Sequence, residues 1–154
     1  SYFRIVEEKL QRKETYIDNN IEKSRMVDYF SAKRVPLKEG EKLSSGDRIL
    51  VEVKVDSAQR FRYLLFEDYK AAGLEAVDVR SGYVGGTFGY REFRDDRVLH
   101  FSSRLPEGES KFTYELRAER PGRFRILPTR AHAMYLPHVQ ANSNSHQLEV
   151  RSNP

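Results

Sequence analysis

The chain is predicted to be all-β, an antiparallel sandwich, and three observations predict it. Apolar and polar residues alternate with period two in several runs. Turn residues punctuate those runs at short intervals. No stretch carries a capped helical repeat. Short strands at this spacing indicate the immunoglobulin or fibronectin III type of sandwich.

The elements follow in chain order. The chain opens in strand-like sequence, as a segment cut from a longer protein would. Asp18–Tyr29 places Ile21, Arg25 and Tyr29 at spacing four but holds Asn19 and Asn20 and no firm cap, so it reads as strand, loop, strand. Ser45-Gly46-Asp47 is a turn before a strand whose Ile49, Val51, Val53 and Val55 alternate with Leu50, Glu52, Lys54 and Asp56. Tyr63-Leu64-Leu65-Phe66 is apolar on both faces and reads as a central strand covered on both sides. Ala71-Ala72-Gly73 is a loop, and Gly82–Gly89 a flexible glycine-rich connection. Asp95-Asp96 separates Tyr90–Phe93 from Val98–Phe101 as in a tight hairpin. Pro106-Glu107-Gly108 and Pro121-Gly122 are turns in which Pro pre-sets φ and Gly accepts a positive one. Between and after them, Phe112, Tyr114, Leu116 and Ala118 form one apolar face, and Phe124 with Ile126 another. Residues 1–42 are expected to carry an incoming strand or strands and a loop of the same domain. Residues 43–151 are expected to form the sandwich core.

Composition narrows the function. In 154 residues, 38% are hydrophobic and 32% charged, a balance that suits a sheet protein with solvated outer faces. No run approaches the roughly 20 apolar residues of a membrane span, and no signal peptide is apparent. The net charge is +4, but Lys and Arg alternate with Asp and Glu. That pattern fits solvated strand faces, not a nucleic-acid footprint. The absence of cysteine excludes disulfides, thiol nucleophiles and Cys-based metal sites.

Candidate chemistry is sparse. The glycine loop lacks the Gly-Lys-Ser/Thr ending of a phosphate-binding loop. His100, His132, His138 and His146 have no metal-ligand spacing and read as strand and loop histidines near the surface. The neighbours Glu67 and Asp68 point to opposite faces of a strand, and Asp95-Asp96 suits a turn. No serine sits in a nucleophile elbow. No catalytic residue, cofactor or metal is therefore assigned, and the chain is read as non-enzymatic. Two other readings remain. Tyr83, Phe88 and Tyr90 around the glycine loop suit stacking on sugars, as in a free-standing carbohydrate-binding or adhesion module. Met134-Tyr135 sets a thioether beside an amphipathic ring, after Ala131 and Ala133 and before Pro137. Core packing at a strand end is its simplest explanation. Covering a site on a neighbouring domain is the alternative.

Taken in order, G-D-R-I-L-V-E-V-K-V, F-E-D-Y-K-A-A-G-L-E-A-V-D, Y-R-E-F-R-D-D-R-V-L-H-F, L-P-E-G, F-T-Y-E-L-R-A, P-G-R-F and A-M-Y-L-P-H-V resemble the C-terminal macroglobulin-like domain of bacterial α2-macroglobulins. The resemblance runs from about Leu43 to Val150, and Phe3–Arg12 fits the domain's first strand more weakly. It implies a β-sandwich packed on the thioester domain of a large, broad-spectrum protease trap of the periplasm or cell surface. In that family a bait segment is cleaved, and an internal Cys–Gln thioester captures the protease. The resemblance makes Met134 and Tyr135 the interdomain residues that shield the thioester from water and other nucleophiles. It makes the thioester domain the partner, with target proteases met through the full-length protein. With no Cys, this chain cannot itself contain the thioester. Leu136-Pro137-His138 also departs from the acidic residue and Pro that often follow Met-Tyr in the family.

Overall fold

The alternating runs form strands, and the turn residues separate them. The computed structural model describes residues 1–83 and 86–152. In chain order its strands are β1 (Tyr2–Asp18), β2 (Ile21–Pro36), β3 (Lys42–Ser44), β4 (Arg48–Ser57), β5 (Phe61–Tyr69), β6 (Leu74–Ala76) and β7 (Gly82–Tyr83). They continue with β8 (Tyr90–Phe93), β9 (Arg97–Leu105), β10 (Gly108–Ala118), β11 (Gly122–Ile126), β12 (Arg130–Ala133), β13 (Leu136–Asn142) and β14 (His146–Arg151). No helix occurs among the described residues.

These strands make a five-stranded sheet, β2-β1-β4-β10-β6, and a six-stranded sheet, β13-β12-β5-β9-β8-β7. A small third sheet, β11-β14-β3, adds Leu43, Ile126, Leu148 and Val150 to the same core. The two large sheets meet through aromatic side chains. Phe112 of β10 stands edge-on to Phe66 of β5 at 5.9 Å and to Phe88 at 4.9 Å, and stacks on His100 of β9 at 3.9 Å. The fold is thus an all-β sandwich.

The expected turns are present. Asn19 and Asn20 both take positive φ, 50° and 58°, and close the β1–β2 hairpin in two residues. Asn tolerates that region because its short polar side chain bonds locally. The Asp18–Tyr29 region is therefore strand, turn, strand. Arg94 N–H donates to Arg97 C=O at 2.9 Å, closing the Asp95-Asp96 hairpin. Gly46 and Gly108 use positive φ at their turns. In the Ala71–Gly73 loop, a Cβ on Gly73 would lie 2.3 Å from the Phe124 ring, so this position needs the bare backbone. Of the Gly82–Gly89 connection, Val84 and Gly85 lie outside the described residues, as does the Tyr83 side chain.

Three expectations are corrected. The Tyr63–Phe66 segment is not covered on both sides. Leu64 and Phe66 face the core, whereas Tyr63 is 42% exposed and Leu65 half-buried on the outer face. Phe88 is core, packed between Phe66 and Phe112, so it cannot be part of an exposed stacking platform. His100 is not near the surface. It is buried against Phe112, with no hydrogen-bond partner for Nδ1 among the described residues. An inward β9 position forces this, because Val98, His100 and Ser102 share one face of the strand.

Burial, with Arg91 nearby, holds the His100 imidazole down at about 3, against an ordinary value of 6.5. As pH falls below the ordinary value, the unfolded chain takes up this proton and the folded chain does not. The contribution of His100 to stability is therefore present above 6.5 and lost as pH falls towards about 3. In urea unfolding between about pH 7.5 and about pH 5, His100→Phe should lose less stability than wild type, by on the order of 2 kcal/mol. Equal losses would contradict a neutral, buried imidazole.

Candidate docking face and the Met134–Tyr135 turn

The outer face of the six-stranded sheet is built by strand alternation. Because Leu64, Phe66, Ala133, His100 and Ser102 turn inward, their neighbours turn outward. Register then aligns those neighbours. His132 pairs with Leu65, Leu65 with Phe101, and Phe101 with Tyr90. One row of aromatic and apolar residues therefore crosses four strands. Tyr63 adds its ring beside the row, stacked on Phe101 at 6.5 Å.

The sequence motif lies at the margin of this row. Met134 and Tyr135 form the two-residue turn between β12 and β13. They are 50% and 73% exposed, and Leu136 is 48% exposed. The core-packing explanation therefore does not hold for their side chains. It holds for Ala133, which is 3% exposed. The Tyr135 ring rests edge-on against Tyr63, centroids 5.3 Å apart and planes at 90°. Beyond the turn the register of β13 shifts, with Pro137, His138 and Val139 lying between the pairs Ala133↔Leu136 and His132↔Gln140. Proline has no N–H to give the ladder and suits such an irregularity.

The polar candidates fall elsewhere. Glu67 faces out and pairs with Arg97 at 3.1 Å. Asp68 faces in, fully buried, and accepts hydrogen bonds from the Tyr114 hydroxyl at 2.5 Å and the Thr129 hydroxyl at 2.7 Å. Burial pushes its carboxyl pKa up, and the two hydrogen bonds offset part of that rise. The two carboxylates share no site, as expected. His132 lies on the outer row, while His138 and His146 lie on other strands. No group of three or more His, Asp or Glu that could hold a metal occurs among the described residues. Sequence reasoning missed Tyr63, Phe101 and Leu65 as partners of the turn. Register across β12, β5 and β9 brings them together, and no local motif encodes it.

This sandwich, with its aromatic outer face, is a macroglobulin-like domain. The model of the family described as "Bacterial Alpha-2-macroglobulin MG10 domain" matches residues 20–138. The chain belongs to that family. It is similar to native alpha-2-macroglobulin from Escherichia coli spanning domain MG7 to the C-terminus, with TM-score 0.61, 19% identity, and coverage of 93% of this chain and 33% of that one. It is also similar to Salmonella alpha-2-macroglobulin reacted with methylamine, with TM-score 0.60, 18% identity, and coverage of 92% of this chain and 13% of that one. At these identities the likeness speaks for the fold. A curated relative, circularly permutated Ras protein 2 of Dictyostelium discoideum, is 30% identical over 105 residues, 68% of this chain but 3% of that protein. The chain thus spans a small part of the proteins it matches.

An exposed turn and a buried clamp should respond differently to truncation. Tyr135→Ala should cost about 1 kcal/mol or less in urea unfolding. Phe112→Ala, at the centre of the inter-sheet cluster, should cost about 3–5 kcal/mol. Comparable losses at both positions would return Tyr135 to a core role.

Proposed function

We propose that this domain is a non-enzymatic, C-terminal module of a bacterial α2-macroglobulin-like protease trap. In this reading its outer face docks on the thioester domain of the parent chain. Met134 and Tyr135 cover the thioester there. Target proteases are met through the full-length protein, in the periplasm or at the cell surface.

One observation carries the reading: Met134 and Tyr135 stand exposed at a turn and continue an aromatic row that nothing in this chain covers. Exposed aromatic and thioether side chains of this kind are enriched where protein surfaces meet. Apolar groups are also what a thioester needs around it, since they exclude water and amines. The reaction of the Salmonella relative with methylamine supports the choice of probe.

The sugar-binding alternative has less support. Phe88 is in the core, and Tyr63 and Tyr135 meet at 90°, not as a flat stacking platform. An apolar cleft lined by Val55, Phe61, Leu64, Leu105, Ala131 and Val139 offers no converging acid and base pair.

In the full-length parent, Tyr135→Ala should raise the rate of methylamine incorporation by about tenfold while the fold stays intact, the scale of losing one well-packed aromatic contact. An unchanged rate in a folded variant sinks the shielding role.

A further inference from the structure

Tyr63 has a backbone conformation that its side chain does not favour. Its φ is 57°, in the left-handed region, where bulky residues are rare and which persists only when the surroundings enforce it. The β5–β9 ladder continues on either side, through Arg62↔Arg104 and Leu64↔Ser102. The neighbouring ladder, from β12 to β5, ends at Ala133↔Leu64. One residue beyond that end, the Met134 N–H donates to the Tyr63 carbonyl at 2.9 Å. The Tyr63 ring meets the same turn a second time, edge-on to Tyr135 at 5.3 Å, and is itself braced by Phe101.

We propose that Tyr63 is the positioning residue of the Met134–Tyr135 turn, gripping it through its carbonyl and its ring. The function of the grip rests on the shielding role proposed above; the grip itself does not. The backbone contact fixes where the turn leaves β12. The ring contact limits the directions open to the Tyr135 side chain, which is otherwise 73% exposed. A residue in ordinary extended geometry would direct its carbonyl along the ladder towards β9 or β12. The left-handed twist at Tyr63 coincides with the point where the ladder has ended and the turn begins. Strain at this position is thus matched by an interaction that regular pairing does not provide. Glycine would accept the φ without strain, yet would give up the ring contact. Phenylalanine would keep both the ring and the backbone.

The test uses the full-length parent with Tyr63→Gly, Tyr63→Phe and Tyr135→Ala. Hydrogen exchange of the peptide covering Ala133–Leu136 should quicken about five- to tenfold in Tyr63→Gly and stay at the wild-type rate in Tyr63→Phe. Unchanged exchange in Tyr63→Gly overturns the positioning role, whatever methylamine shows. Quickening that spreads across β5 and β9 also overturns it, because the ring would then be packing the sheet. Methylamine incorporation separates the two proposals. Tyr63→Gly should raise it alone and add less than about twofold in a Tyr135→Ala background, as expected of groups acting as one unit. Localised quickening of exchange with an unchanged methylamine rate in both single variants supports the grip and overturns the shield.

Discussion

Phe112 reaches across the sandwich to Phe66, Phe88 and His100, and this contact sets the direction of the side chains in the six-stranded sheet. A strand has only two faces. Once Phe66 and His100 are drawn inward to Phe112, Leu65 and Phe101 must face outward. The register of β12 then brings His132 beside Leu65. The docking face is thus a consequence of the core. A one-residue slip of β5 would bury Leu65 and expose Phe66, destroying both at once.

The same constraint explains why so much apolar surface is left outside. Exposed aromatics are common singly, but a row continued by a Met-Tyr turn is not an incidental scatter. Charged residues elsewhere on the surface are mostly paired, as in Arg48 with Glu115 at 2.6 Å and Lys9 with Asp28 at 2.8 Å. Such exposed pairs contribute little stability and serve mainly to keep those faces solvated. The β1–β2 hairpin joins the five-stranded sheet only through Tyr2–Ile5 on β4, and further out its two strands pair with each other. Ile17, Ile21 and Phe30 are exposed along it.

Period-two patterning made β4, β10 and β11 legible, and Pro and Gly made their turns legible, because both signals are local. Asn19-Asn20 was legible as a break, although its two-residue closure depends on backbone φ. The depth of His100 was not legible, since a histidine in an alternating strand looks alike on either face until the partner sheet is known. The Tyr63–Phe66 run misled for a related reason: apolar residues on both faces suggest two covered sides, but here the outer side is a free surface. Met134 and Tyr135 stood out in the sequence, yet their exposure depends on a turn that β12 and β13 create. Tyr63 carried no signal at all, because its importance comes from pairing across strands and from a φ that the side chain does not advertise.

The central claim is that the outer face of the six-stranded sheet is an interdomain interface. Oxidative footprinting reads it directly, by comparing side-chain labelling in the native full-length parent with labelling in this chain alone. The account predicts that Met134, Tyr135, Phe101 and Tyr90 are labelled slowly in the parent and rapidly in the separate chain. Equal labelling of these four residues in both would contradict it.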